Sequence, residues 1–172
     1  VILGGWIVYT YNNLIMLRNR VRNSWSQVDV VLKNRFDLIP NLIETVKGYA
    51  DFEKTTLRQL TELRTRYAST ESLQEKVETN AQMSELLRQL MINVENYPDL
   101  RASENFLYLK EQLSEVEDKI RFARQFYNDA VEGYNTAVMS FPANLLAGRF
   151  GFREETFFQI DEEEKALPQV KF

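Results

Sequence analysis

The sequence predicts an all-α protein: a long antiparallel up-and-down four-helix bundle with a short C-terminal helix and tail, preceded by the end of an N-terminal transmembrane helix. Turn-forming residues are scarce, since the 172 residues include only six glycines and four prolines, and few turns favour long helices. Apolar residues recur at three- and four-residue steps, and no strand-like alternation of comparable length competes with them. Amphipathic helices joined by short turns bury their apolar faces by packing side by side.

Residues 1–11 are expected to be the C-terminal part of a membrane anchor. The run from Val1 to Tyr9 is continuously apolar, but a helix of that length covers about 13 Å, less than half of a hydrocarbon core of roughly 30 Å. Aromatic residues follow at the place of a membrane interface, and arginines follow as juxtamembrane cations often do on the cytoplasmic side. The residues behind this interpretation are Trp6, Tyr9, Arg18, Arg20 and Arg22. The alternative is an N-terminal turn packed on the domain.

The bundle is predicted to occupy residues 12–142, with helices at about 12–36, 40–68, 73–96 and 102–141. A chain reversal near 37–39, with Pro40 opening the second helix, is the simplest arrangement, because proline is tolerated in the first turn and disruptive deeper inside. A kinked continuous helix is the alternative. Ser69, Thr70 and Ser72 are candidate N-caps of the third helix.

The fourth helix has the most regular pattern, a sustained heptad of apolar residues. Its stripe is Phe106, Leu109, Leu113, Val116, Ile120, Ala123, Tyr127, Ala130, Tyr134, Ala137 and Phe141. Residues 143–172 form a tail without long periodicity, with a short helix at 144–148, a phenylalanine-rich stretch and the acidic run 161–164.

Composition excludes several classes of function. The net charge is −4, whereas nucleic-acid binders are usually basic over one face, so no nucleic acid is expected as a partner. Histidine and cysteine are absent, which removes thiolate nucleophiles, zinc sites of the Cys/His type and histidine acid–base chemistry. No cofactor is expected.

The catalytic alternatives are weak. An all-carboxylate site could involve Glu111, Glu115 and Asp118, although such residues between apolar heptad positions more often form a solvated face. No serine precedes a lysine at the Ser-x-x-Lys spacing of some hydrolases, and the glycines form no phosphate loop. We therefore expect the protein not to be an enzyme.

Polar residues inside the apolar stripes are the candidate interaction or polar-network residues. They are Asp37, Asn41, Arg121, Arg124, Tyr127, Asn128, Tyr134 and Asn135, with Asn80 near the seam of the third helix. Inward polar residues usually satisfy a partner and fix helix register, and a ligand-binding groove is the alternative. Phe157 and Phe158 belong to the aromatic tail, which either folds back over the bundle or forms an exposed apolar patch for a partner.

Several short stretches together resemble the LemA family. They are Tyr11-Asn12-Asn13-Leu14, Arg18-Asn19-Arg20-Val21, residues 24–30, Asp37-Leu38-Ile39-Pro40-Asn41-Leu42, Val46-Lys47-Gly48-Tyr49, and the pairs Tyr127-Asn128, Tyr134-Asn135 and Phe141-Pro142. The stretch 37–42 is quite specific to the family. Phe52 beside Glu53 is a departure, since a His-Glu pair is expected there.

The resemblance implies a bacterial protein with one N-terminal membrane helix and a helical-bundle body, in a family with a branch involved in magnetosome membranes. It implies no catalytic residues. The expected location is the bacterial cell membrane, crossed once, with a cytoplasmic body. The leading hypothesis is a membrane-tethered scaffold or protein-interaction module with an unknown protein partner or self-association; a small-ligand sensor is the alternative, and a carboxylate-based hydrolase is third.

Overall fold

The computed structural model describes residues 1–49 and 54–158. Six helices follow one another, and the described residues contain no strand. The helices are α1 (Ile2–Lys47), α2 (Lys54–Ser69), α3 (Leu73–Val94), α4 (Pro98–Arg101), α5 (Glu104–Met139) and α6 (Asn144–Ala147). The all-α prediction is confirmed, while the antiparallel four-helix bundle remains a prediction. Phe52, Glu53 and the acidic run 161–164 lie outside the described residues.

The predicted chain reversal at 37–39 is wrong, because α1 continues through Pro40 to Lys47. Pro40 has no backbone N–H for the carbonyl of residue 36, which weakens one turn of the helix. Apolar side chains before and after the proline are buried, since Ile39, Leu42 and Val46 are each 0% exposed. Their burial favours continuation of the helix through Pro40. The helical spacing that hides these side chains would be lost in a reversal, so packing overrides the local preference.

The chain divides into two compact units, and α1 and α5 each contribute to both. Unit 1 comprises Val1–Val31 and Lys119–Phe158. Its buried apolar residues include Leu14, Val21 and Val28 from α1, Ile120, Tyr127, Val131, Tyr134 and Val138 from α5, and Phe152 and Phe158 after α6.

Unit 2 includes Leu32–Asp118. Its core takes apolar residues from the second half of α1, from α2 to α4, and from the first half of α5. Phe36 and Tyr67 stack with ring centroids 4.2 Å apart. The Ser72 hydroxyl caps α3 by accepting the Glu75 N–H at 3.4 Å, as the N-cap pattern predicts.

Candidate interaction site

In unit 1 an extended segment, residues 152–158, follows α6 and carries no helix or strand. Its two ends are buried, with Phe152 3% and Phe158 2% exposed. The side chains between them are exposed: residues 153–156 are open to solvent and Phe157 is 46% exposed. The segment is therefore fixed through its terminal phenylalanines and its main chain.

Two asparagines of α5 bind the main chain of this segment, each through a pair of hydrogen bonds. Asn135 donates to the carbonyl of Glu155 at 2.9 Å and accepts the Glu155 N–H at 2.8 Å. Asn128 donates to the carbonyl of Phe158 at 3.0 Å and accepts the Phe158 N–H at 2.8 Å. Each amide thus replaces the neighbouring strand that an extended residue would otherwise need, because an amide side chain carries both a donor and an acceptor. We call Asn128 and Asn135 the asparagine clasps.

The spacing of the clasps matches the rise of the two kinds of backbone. Asn128 and Asn135 are one heptad apart on α5, a rise of about 10.5 Å at 1.5 Å per residue. The residues that they bind, Glu155 and Phe158, are three positions apart, about 10 Å in an extended chain. Because the two rises agree, both clasps are satisfied without bending the segment.

Two tyrosines next to the clasps extend the same contact. The hydroxyl of Tyr127 donates to the carbonyl of Thr156 at 2.8 Å, and burial, with a smaller effect of the Glu155 carboxylate, raises the pKa of Tyr127 to about 12. Burial also raises the pKa of Tyr134, whose hydroxyl has a hydrogen bond with the backbone of Arg153. Tyr127 is thus kept neutral, the form that can donate to a carbonyl.

Aromatic and cationic side chains hold the two terminal phenylalanines. The ring centroids of Phe158 and Trp25 are 6.4 Å apart, and the Arg124 guanidinium lies 5.8 Å from the centre of the Phe158 ring. At the other end, the guanidinium of Arg18 lies 4.9 Å from the centre of the Phe152 ring, with Tyr11 edge-on at 5.7 Å. Such contacts each contribute roughly 0.5–2 kcal/mol beyond the burial of apolar area.

The remaining predicted residues lie elsewhere. Asp37 and Asn41 are exposed on α1 in unit 2, and Arg121 is exposed on α5, with its guanidinium 5.5 Å from the Phe122 ring centre. Trp6 is half-buried, Tyr9 is exposed, and Arg20 and Arg22 are exposed. Arg18, whose assignment as a juxtamembrane cation stays a prediction, packs on Phe152.

A buried charge in unit 2 went unpredicted. Arg35 is 0% exposed and donates to the Ser84 hydroxyl at 2.9 Å, to the Glu117 carboxylate at 2.8 Å and to the Asn80 carbonyl at 2.8 Å. It also donates to the side-chain oxygen of Asn80. Burial lowers the pKa of Arg35, against the opposing effect of Glu117, and within the part of the chain that the structure describes its Nε has no hydrogen-bond partner.

The sequence did contain a signal for Arg35. It occupies one step of the heptad Val28, Leu32, Arg35, Ile39, Leu42 and Val46, whose other members are all buried. A cation at such a position faces the core, where it requires several hydrogen-bonding partners. Arg35 therefore ties α1 to α3 and α5.

Unit 1 also has an open groove of about 380 Å³ between α1 and α5. Leu17, Arg20, Asp129 and Gly133 line it, together with Phe126, which is 64% exposed. Phe122, one turn before Phe126, is 55% exposed. This face of the helix pair carries apolar surface in contact with solvent.

The first turns of α1 expose a second group of apolar side chains. Ile2 is 91%, Leu3 69%, Val8 60% and Tyr9 71% exposed. Over residues 1–49 and 54–158, no helix is both long enough and apolar enough to cross a bilayer.

No catalytic constellation is visible in the described ranges. Glu111, Glu115 and Asp118, the candidate carboxylates, are exposed, and residues 1–49 and 54–158 contain no group of three or more metal-binding side chains. What the site in unit 1 does chemically is bind main-chain amide groups and aromatic side chains.

The fold and this site define an all-α protein in which a helix pair binds an extended segment. The chain belongs to the LemA family, whose profile matches residues 24–172. It is similar to Protein LemA of Metamycoplasma hominis, with 26% identity over 90% of this chain and 71% of the relative.

Magnetosome proteins are also among the relatives. The chain is 22% identical to magnetosome protein MamQ 2 of Paramagnetospirillum magneticum, over 89% of this chain and 66% of that protein. It is 31% identical to magnetosome protein MamQ of Magnetospirillum gryphiswaldense over 42% of this chain and 26% of that protein. The chain thus spans less than two thirds of the magnetosome relatives that it matches.

Proposed function

We propose that this chain is a non-enzymatic, membrane-associated interaction module of a bacterial cell. The observation that carries the membrane contact is the exposure of Ile2, Leu3, Val8 and Tyr9 in the first turns of α1. Exposed apolar side chains grouped in this way are typical of surfaces that contact a membrane or a partner. Two relatives named magnetosome proteins support the membrane as the occupant.

The helix that carries this apolar end also carries the body of the protein. Helix α1 continues without a break from Ile2 to Lys47, and it contributes to the cores of both units. Because unit 1 includes the first turns of α1, membrane contact at those turns would hold unit 1 close to the lipid. The exposed Arg20 and Arg22 favour a cytoplasmic body beside a single membrane anchor.

The ligand-sensor alternative requires polar groups in unit 1 that are free to bind a small molecule. The polar groups found there are already hydrogen-bonded to residues 155–158 of the chain itself, through Asn128, Asn135 and Tyr127. A peptide-like main chain is therefore what this site is built to bind. The hydrolase alternative gains no support from Glu111, Glu115 and Asp118, which are exposed.

Vesicle flotation tests the membrane contact. The protein is mixed with vesicles of phosphatidylethanolamine and phosphatidylglycerol and centrifuged through a density gradient. We expect the protein to float with the vesicles, and the variant Ile2→Ser/Leu3→Ser/Val8→Ser to lose at least tenfold in the floating fraction, because it removes apolar area from the contact.

The matched control is Ile92→Ser/Leu107→Ser/Tyr108→Ser, three substitutions of exposed apolar residues in unit 2 that are 63%, 49% and 62% exposed. It should float as the original protein does. Equal loss in both triple variants would show that flotation follows total surface hydrophobicity. Absence of flotation for the original protein would overturn the membrane contact at α1.

A further inference from the structure

The site in unit 1 recognises features that any copy of this chain can supply. We propose that this face of α1 and α5 is a receptor for an extended segment, and that in assemblies a second copy of the chain donates its own residues 152–158 to it. This deepens the proposed interaction role by naming the partner. Its test uses no lipid, so failure of segment exchange and failure of membrane binding are separate results.

The receptor binds main-chain atoms and two aromatic ends. Three hydrogen bonds are donated by Asn128, Asn135 and Tyr127 to carbonyls of residues 155, 156 and 158, and two are accepted by the asparagines from the N–H groups of residues 155 and 158. Only Phe152 and Phe158 are buried, while the side chains between them are exposed. The requirement is therefore an extended segment with phenylalanine at both ends, and a second copy presents that segment with every contact unchanged.

The connection that carries the segment is short and lightly packed. It leaves α5 after Met139, passes through the four-residue α6, and reaches Phe152 through Gly151 at φ +73°. Phe141 is 80% and Leu145 62% exposed, whereas Ala147 is buried. Glycine alone adopts such a positive φ without strain, and a change of backbone direction at this residue would redirect the segment and leave both long helices intact.

Exchange between copies needs little free energy, because the contacts in the two arrangements are the same. In such exchange the balance depends on the connection and on the concentration of the partner. A membrane-associated protein is confined to a surface, where the effective concentration of neighbouring copies is raised. The proposed membrane contact would therefore favour exchange over the intramolecular arrangement.

Complementation between two defective variants tests the exchange. The donor variant Asn128→Ala/Asn135→Ala loses the clasps but keeps the segment. The acceptor variant Phe152→Ala/Phe158→Ala keeps the clasps but loses the aromatic ends. In each variant alone, any exchanged pair lacks either the clasps or the aromatic ends, whereas a mixture places the donor's intact segment on the acceptor's intact receptor. Light scattering after size-exclusion chromatography should give one 20.3 kDa chain for each variant alone and twice that mass for the mixture.

The matched control is the donor with Phe158→Ala added, which should not dimerise with the acceptor. Circular dichroism establishes that each variant remains helical. A mixture of helical donor and acceptor that stays monomeric would overturn the proposal.

A second measurement needs no substitution. Unlabelled and ¹⁵N-labelled copies of the original protein are mixed at high concentration and crosslinked with a carboxylate-reactive reagent. Crosslinks from Glu154 or Glu155 of one isotope to Glu132 or Asp129 of the other support exchange. Crosslinks between these sites that join only residues of the same isotope contradict it.

Discussion

At the scale of single residues, the asparagine clasps bind the main chain of residues 155 and 158 to α5. Replacing Asn135 with alanine removes two hydrogen bonds of 2.9 and 2.8 Å and leaves the Glu155 amide and carbonyl to water. We expect the free energy of unfolding to fall by about 1–2 kcal/mol. Urea denaturation of Asn135→Ala measures it, and Gln125→Ala, at an exposed position of the same helix, should change stability by less than about 0.5 kcal/mol. Equal effects of the two substitutions would contradict the role of the clasp.

Arg35 allows a prediction about a buried charge. Glu117, whose side chain is 54% exposed, is the carboxylate paired with it at 2.8 Å. Glu117→Ala leaves a buried cation without its counter-charge, so we expect a loss of roughly 2–3 kcal/mol, whereas Arg35→Met removes the charge, retains similar volume and should cost about 1 kcal/mol.

Urea denaturation compares these two variants with Glu115→Ala, a substitution at an exposed position of α5. The Glu115 variant should stay near the original protein. A larger loss for Arg35→Met than for Glu117→Ala would mean that the hydrogen bonds to Asn80 and Ser84 matter more than charge compensation.

Tyr127 gives unit 1 a dependence on alkaline pH. Its pKa is raised to about 12 in the folded protein, against about 10 in an unfolded chain. The folded state therefore holds the phenolic proton more tightly, so this stabilisation is complete below pH ~10 and is lost as pH rises toward ~12. Between pH 9 and 11, the urea midpoint should fall less in Tyr127→Phe than in the original protein.

The control for this pH series is Tyr108→Phe, since Tyr108 is 62% exposed on α5. It should retain the full fall in the midpoint. An unchanged fall in Tyr127→Phe would show that Tyr127 does not contribute. Part of the fall should survive in Tyr127→Phe, because burial also raises the pKa of Tyr134.

At the scale of helices, Pro40 lies inside α1 although proline disfavours that position. Pro40→Ala restores an N–H for the helix and removes the ring, so we expect a gain of about 1–3 kcal/mol in stability. Asn41→Ala at the adjacent exposed position should gain less than about 0.7 kcal/mol, from helix propensity alone. Urea denaturation compares the two. A loss of stability in Pro40→Ala would show that the proline ring packs favourably in unit 2.

The sequence predicts elements well where periodicity and capping agree. Ser72 caps α3, and α5 ends within a few residues of the predicted position. Prediction fails at Pro40, because the local signal for a break competes with the burial of Ile39, Leu42 and Val46, which depends on tertiary packing. For Arg35, the sequence indicates burial through its place in an apolar heptad. It does not indicate the partners, because Asn80, Ser84 and Glu117 lie on helices that are distant in sequence.

The candidate site was predictable only in part. The repeated Tyr-Asn pairs at 127–128 and 134–135 identify polar groups one heptad apart. Their target is an extended segment without periodicity, and no pattern in residues 152–158 indicates which of their backbone groups an amide would bind. Geometry supplies that information, since seven helical residues and three extended residues rise by nearly the same distance.

At the scale of the whole molecule, the protein combines an apolar helix end with a site that binds an extended segment. Helix α1 provides both, with exposed Ile2 and Leu3 in its first turn and Trp25 against Phe158 further along. Loss of the apolar end should abolish membrane binding and leave the clasps intact. Loss of the clasps should weaken the binding of the extended segment and leave membrane binding unchanged.

The measurement that tests the central claim most directly is fractionation of bacterial cells that produce the protein at its native level. The account predicts that the protein sediments with membranes, remains there after an alkaline carbonate wash and is released by detergent. Asn128→Ala/Asn135→Ala should behave identically, because the clasps act on the chain and not on lipid. If the unsubstituted protein stays in the supernatant when the membranes are sedimented without detergent, the claim that it is a membrane-associated interaction module is contradicted.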